Sequence, residues 1–452
     1  MNRSPIQLSD HFDYGRLVRF TLPTVLMMLL SSIFGVVDGI FVSNFAGTET
    51  YSGATAFAAV NLVWPVPMVL GSVGYMFGIG GCALVSKIRG EGDTERANGY
   101  FTMILFVSAV IGLLMSGLGL LTIESFANLL GGQGVLLELA LEYGKTLMVF
   151  LPFFVLQTTF LPFLISAEDP KFGLWTISFA GLANAVLDVL LIWELKMSVT
   201  GAAWATSISW VIGGLIPLLY FVINRKLPLH LVRDTTWDWK ALGKACSNGV
   251  SEFVTNLSMS LVNLLCVYQL MRIEGDLGVA AYGVIMYVNV VFFAVYSGFV
   301  MGSSPIISYH YGANNMKEVN NLWHKSVTLL FISAIIVMFA AVVLAKPIAN
   351  LYAGYDSGLW DLTHRAFLIY SLSFILTPFN IYGSAFFTAL NNGKTSAFIA
   401  FSRTLLFQAL AVIILPIRWG TDGVWAALPT AEIVSLTLTI LFFTRLKAKY
   451  SY

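Results

Sequence analysis

Twelve apolar runs, each long enough to cross a bilayer, leave this 452-residue chain few folds to choose from. They lie at about 17–44, 53–80, 97–123, 137–166, 171–194, 200–223, 244–271, 278–309, 320–345, 361–389, 395–417 and 422–445. About 20 apolar residues in helical form span the hydrocarbon core. In lipid only helices and closed barrels satisfy their own backbone polar groups. A stretch such as TMILFVSAVIGLLMSGLGLL shows no two-residue alternation, so helices are expected throughout. Composition agrees: 57% of residues are hydrophobic and 11% charged, against about 25% charged in soluble domains. The expectation is an all-α integral membrane protein. A net charge of +1 offers no field for nucleic acid. The first run is too long for a signal-peptide core, so no cleavable leader is expected. Cys82, Cys246 and Cys266 all fall in or beside apolar segments, which argues against a disulfide framework or a zinc site.

The connections set an orientation. The N-terminus, the even-numbered loops and the C-terminus hold 18 Lys and Arg residues, and the odd-numbered loops hold 6. The positive-inside rule therefore places both termini in the cytoplasm of a cell whose inner membrane holds the chain. The most polar long connection, NRKLPLHLVRDTTWDWKALGK, starts at Asn224, near the midpoint. Six segments precede it and six follow. The reading divides the chain into an N-lobe over 1–223, a cytoplasmic linker over 224–243 and a C-lobe over 244–452. The halves repeat at an offset near 224: GYMFG (Gly74–Gly78) pairs with GFVMG (Gly298–Gly302), and FLISAEDPK (Phe163–Lys171) with FFTALNNGK (Phe386–Lys394). Six helices per half leave both halves with the same orientation, so the lobes are expected to be parallel repeats about an axis along the membrane normal.

Against this background the buried charges stand out. Asp38 is the only charge in FTLPTVLMMLLSSIFGVVDGIFVSNF, and Asp188 lies likewise in FAGLANAVLDVLLIW. A carboxylate at membrane depth costs about 2.5–3.5 kcal/mol on insertion scales, so a functional role is the default reading. Asn184 and Asp188 are four apart and share a helical face. Two carboxylates and an amide oxygen suit Na⁺ or a proton held by hydrogen bonds. The alternative is that they are interhelical glue. By the repeat offset the second half has not kept this acidic pair; Asn263 stands near the counterpart of Asp38. Segment 7 carries Glu252 on a polar face with Asn248, Ser251, Asn256 and Asn263, expected to line water or the other lobe, though Glu252 could simply be solvated. Arg403 and Glu432 lie within segments 11 and 12, where a neutralising pair between neighbouring helices is the plain reading. Pro23 removes a backbone hydrogen bond from segment 1 and marks a hinge. GEGD (Gly90–Asp93) fits an intramembrane protease pattern but falls in a polar loop, and no nucleophile–base set accompanies it, so an enzyme is not expected. The five histidines show no paired ligand spacing.

VVDGIFVSNFAGTE (Val36–Glu49), FAAVNLVWP (Phe57–Pro65), GGCALVSKIRGEGD (Gly80–Asp93), NLSMSLVNLL (Asn256–Leu265) and SAFFTALNNGK (Ser384–Lys394), with Pro23, together resemble the multidrug and toxin extrusion (MATE) family in its DinF/MepA-like branch. The resemblance covers essentially the whole chain. It implies a secondary antiporter without a cofactor, acting as a monomer, which exports small organic cations as H⁺ or Na⁺ enters. It also implies an N-lobe site with an acid on the first helix, an Asn and an Asp on the fifth and a Thr on the sixth, which fall on Asp38, Asn184, Asp188 and Thr206. Two features depart from the family pattern: segment 10 has no acid in its core, and the loop Thr48–Ala54 is long. The competing function is a flippase for a lipid-linked anionic precursor, which calls for a basic cavity; a receptor or scaffold would need no acids at matched depth.

Overall fold

The computed structural model describes residues 6–233, 235, 237–354 and 357–450. The chain runs as α1 (Tyr14–Phe45), α2 (Gly53–Val63), α3 (Pro65–Gly90), α4 (Thr94–Leu129), α5 (Gly134–Ser166), α6 (Pro170–Asp188), α7 (Ser198–Ile223) and α8 (Trp239–Glu274). It continues as α9 (Asp276–Gly312), α10 (Met316–Ala353), α11 (Ser357–Ser371), α12 (Thr377–Ala389), α13 (Gly393–Phe401), α14 (Gln408–Trp419) and α15 (Thr421–Tyr450). Short irregular turns join some of these into one span: α2 meets α3 at Trp64, a 3₁₀ turn (Leu372–Ile375) links α11 to α12, and a π turn (Ser402–Phe407) links α13 to α14. Among the described residues twelve helices are long and apolar enough to cross a membrane, matching the twelve expected segments. Most run several residues past the apolar stretch, because their polar ends stay helical beyond the lipid depth; α8 starts at Trp239, inside the stretch assigned to the linker.

The duplication is written into the helix starts. Asp13 caps α1 and Asp238 caps α8; Asp93 caps α4 and Asn315 caps α10; Asp169 caps α6 and Asn392 caps α13. Each side chain accepts from a backbone N–H of the first turn, one of the donors that a helix cannot satisfy internally. The members of the three pairs are 225, 222 and 223 residues apart. Left-handed backbone repeats with the caps, at Glu168 (φ 67°) and Asn391 (φ 58°).

An even number of spans puts the N-terminus, the connection after α7 and the C-terminus on one side, the terminal side. Helix packing differs between the two sides. Away from the termini each half has its own core: one built around Tyr143, Leu147 and Trp210, the other around Tyr282, Phe367 and Trp425. On the terminal side the buried clusters mix the halves. Ala241, Leu242 and Ala245 of α8 join Phe77, Val85 and Phe101, while Leu17, Phe20 and Ile165 join Phe299, Ile306 and Phe387. There α3 packs along α8 and α9, and α1 along α9. Gly80 and Gly249 let α3 and α8 meet backbone to backbone: a Cβ on Gly80 would sit 2.8 Å from Gly249 Cα. The molecule is therefore fastened on the terminal side, with separate cores on the other.

Candidate functional site

Helix α1 lies against α6 in the first half. Their approach depends on Gly181, because a Cβ there would overlap the Phe34 ring, 2.6 Å from its Cγ. One turn further along α1 comes Asp38; one and two turns further along α6 come Asn184 and Asp188. The glycine thus brings the three polar side chains together across the helix pair, with Asp38 facing Asn184 and Asp188. Asp188 is fully buried, Asn184 and Thr206 nearly so, and Asp38 is half-buried with Oδ1 shut off from solvent. Asp38 Oδ1 and both oxygens of Asp188 complete no hydrogen bond of good geometry. Directly after Asp188 the helix changes register: Val189–Glu194 is a π turn, closed by Leu195 N–H donating to Leu190 O at 2.9 Å. Single π turns recur at functional sites because the inserted residue re-aims neighbouring side chains.

Thr206 of α7 reaches the same place. Its hydroxyl faces the phenol of Tyr143, a fully buried residue of α5 close to both Asp38 and Asp188. Sequence reading missed Tyr143. The available signal was weak: a tyrosine in an apolar helix is usually a core residue with a polar tip. Five side chains from four helices therefore converge: Asp38, Tyr143, Asn184, Asp188 and Thr206. Among the described residues no three His, Cys, Asp or Glu side chains are placed to hold a metal ion. A cation here would rest on two carboxylates, one amide oxygen and hydroxyls, all hard oxygen donors, and the unpartnered carboxylate oxygens fit Na⁺ or protons equally well.

The second half is built differently. Glu432 of α15 is fully buried, and Arg403, carried by the π turn Ser402–Phe407, donates to its Oε1 from Nε at 3.0 Å and from Nη2 at 2.9 Å. Asn380 of α12 donates to Glu432 Oε2 at 2.5 Å and accepts from Thr439 at 3.1 Å. The neutralising pair is present, and Asn380 with Thr439 completes a network that sequence alone did not reveal. Here the acid has a resident cation; among the described residues Asp38 and Asp188 have none. Glu252 lies within electrostatic reach of Arg403 and Tyr75, and its carbonyl accepts from Asn256 at 2.9 Å. Asn263 is exposed and stands apart from this network. The polar face of α8 divides: Asn248 and Ser251 are buried against the α12–α13 corner, where Asn248 donates to Asn391 Oδ1 at 2.7 Å and Ser251 meets Thr388. Pro23 is buried, and α1 continues helically through it. Its neighbour Thr24 donates to Gly298 O of α9 at 2.8 Å, so the proline sits where α1 is pinned to the second half.

Comparison with known proteins gives a consistent picture. The chain is 21% identical over 437 residues to the multidrug export protein MepA of Staphylococcus aureus, covering 95% of this chain and 93% of that protein. It is also 21% identical over 439 residues to MepA of Staphylococcus saprophyticus, covering 94% and 93%. Its fold superposes with a TM-score of 0.91 on a multidrug resistance MATE family transporter of the MOP superfamily solved in an outward-facing conformation, at 22% identity and with 100% and 99% of the two chains covered. The two-lobed, twelve-helix architecture is thus the one shared by these structures. The sequence profile of MatE matches twice, over residues 23–190 and 253–413, once in each repeat and over more than half of the whole, and on this ground the chain belongs to the MatE family.

Proposed function

We propose that the protein exports small amphipathic organic cations across the plasma membrane in exchange for H⁺ or Na⁺, with coupling seated in the first half. The observation that carries this reading is the contrast between the two buried acid sites. Glu432 is neutralised by a guanidinium that belongs to the protein. Among the described residues Asp38 and Asp188 face each other without one, and their orphaned oxygens call for a cation from outside. Two buried carboxylates repel strongly in a medium of low polarity. Loading H⁺ or Na⁺ relieves that repulsion and changes how α1 rests on α6. Tyr143, Asn184 and Thr206 orient the pair and supply neutral oxygens.

The relatives named for multidrug export support the substrate class. Internal acids outnumber internal Arg403, which favours cationic solutes. In this reading residues 1–223 and 244–452 form the two lobes, 224–243 connects them, and both termini lie in the cytoplasm. Export proceeds by opening the two sides alternately, with Pro23 as a hinge in α1. The protein works as a monomer. A flippase for an anionic lipid precursor is less well supported, because the guanidinium of Arg403 is already engaged by Glu432.

The test is export of a fluorescent cationic dye from reconstituted vesicles under separately imposed pH and Na⁺ gradients. Wild type is expected to respond to one of them, and Asp38→Asn to lose the response while still folding. Full gradient-driven export by Asp38→Asn would overturn the assignment.

A further inference from the structure

The segment just before α1 makes an unusual set of contacts. Residues 6–12 precede the cap residue Asp13, yet Leu8 and Phe12 are fully buried, in a cluster built mainly from α9, α10 and α12. Leu17 and Phe20 of α1 and Ile165, at the end of α5, bring the first half into that cluster. The backbone of the segment is held at both ends by carboxylates from opposite halves. Leu8 N–H donates to Glu168 Oε1 at 3.3 Å, and Phe12 N–H donates to Glu318 Oε1 at 2.9 Å. Glu168 sits in the turn between α5 and α6; Glu318 lies in the first turn of α10.

Each carboxylate is itself fixed. Arg89 of α3 donates to Glu168 Oε1 at 2.9 Å and also to Ser166 O. Asn321 donates to Glu318 Oε1 at 2.8 Å, and His11 meets Oε2 at 2.7 Å. The carbonyl of Phe12 accepts from Asn321 at 3.0 Å and from Lys325 at 2.7 Å, and the carbonyl of Asp10 lies 3.3 Å from His310 Nε2. A loose leader would leave these groups to water.

Glu168 has a further mark. It holds a left-handed backbone, φ 67°, which a glutamate adopts at a cost. Its repeat counterpart Asn391 (φ 58°) is of a type that tolerates that conformation, and it too reaches across the halves: it donates to Ala83 O of α3 at 3.1 Å. Strain of this kind persists where the surroundings demand the side chain at one place. At Glu168 the demand is the double contact with Arg89 and with Leu8 N–H.

We propose that residues 6–12 form a strap that fastens the terminal-side ends of the two halves and has to be released for that side to open. The strap leads directly into α1, the helix that carries Asp38. Movement of α1 on its partners and release of the strap are therefore mechanically linked. The contacts divide between halves that must separate on the terminal side, so opening breaks the bonds to Glu168 or those to Glu318.

The test uses spin labels at Glu95→Cys and Lys317→Cys, both exposed at the terminal-side ends of α4 and α10, in a chain with Cys82, Cys246 and Cys266 replaced. Pulsed electron–electron resonance reads the separation of the halves directly. The otherwise wild-type protein is expected to show mainly the short separation. Glu318→Gln and Leu8→Ala are each expected to raise the fraction at longer separation roughly tenfold, a change of about 1.4 kcal/mol in the equilibrium. His11→Ala, at an exposed side chain that does not endanger folding, should shift the distribution the same way by a smaller factor. Unchanged distributions in Glu318→Gln and His11→Ala would overturn the strap whatever the dye assay reads, and a shift there would stand even if the proposed substrate were wrong.

Discussion

Removing Arg403 is the sharpest probe of how the second half handles its charge. Arg403→Met keeps most of the side-chain volume and deletes the cation. Glu432 is then left fully buried, with Asn380 as its remaining side-chain partner among the described residues. Two charge-assisted bonds are lost, at 2.9 and 3.0 Å, each with a net value of about 1.5–3 kcal/mol. Stranding one member of a buried ion pair generally costs about 3–5 kcal/mol, and the two estimates agree. Replacing both members tells a different story. Arg403→Met with Glu432→Leu removes the stranded charge together with its partner, and exchanges of this kind are often neutral or stabilising. Asn380 would lose an acceptor, so a residual cost of about 1–2 kcal/mol is expected. The assay is unfolding of the purified protein in mixed micelles titrated with SDS, run as a double-mutant cycle. The expected coupling between the two sites is at least about 2 kcal/mol, with the double variant more stable than Arg403→Met alone. Costs that simply add, to within about 0.5 kcal/mol, would refute the view that Arg403 is the resident cation of Glu432.

Two further outcomes follow from the site and the caps. Gly181→Val should push the Phe34 ring away and part α1 from α6, lowering gradient-driven dye export by ~10-fold or more; Gly117→Val, at a position with open space around it, is the control and should export normally. Asp238 lies outside the membrane-spanning stretch, and its carboxyl is held below the usual carboxylate range, first by the Tyr100 hydroxyl that donates to it at 2.6 Å and then by the N–H of Ala241. A carboxyl with a depressed folded-state pKa gives stability that is present above its ordinary pKa, near 4, and is lost as pH falls through the lower folded value. Thermal melts between about pH 5 and 2.5 should therefore show a smaller pH dependence for Asp238→Asn than for wild type; identical slopes would contradict the assignment.

The membrane fold, the number of spans, the duplication and the candidate acids are all legible along the chain before it folds. These properties depend on the solvent and on the local chain. Lipid forces backbone bonds to close within each helix, so run length alone counts the spans, and a lone acid in an apolar run such as Asp38 or Asp188 is conspicuous in one dimension. The shared face of Asn184 and Asp188 needed only helical periodicity; Thr206 came from family likeness. What the chain order could not give was which distant side chains meet. Tyr143 reads as ordinary core until α5 is placed beside α1, α6 and α7. Asn380 reads as a polar residue in a helix until α12 meets α15 and its amide reaches Glu432. The closing of one side, with Gly80 against Gly249 and Leu8 and Phe12 tucked beneath the second half, was decided by tertiary packing alone. Those contacts join residues up to about 300 positions apart, and their sign depends on shape complementarity between halves that no local pattern records.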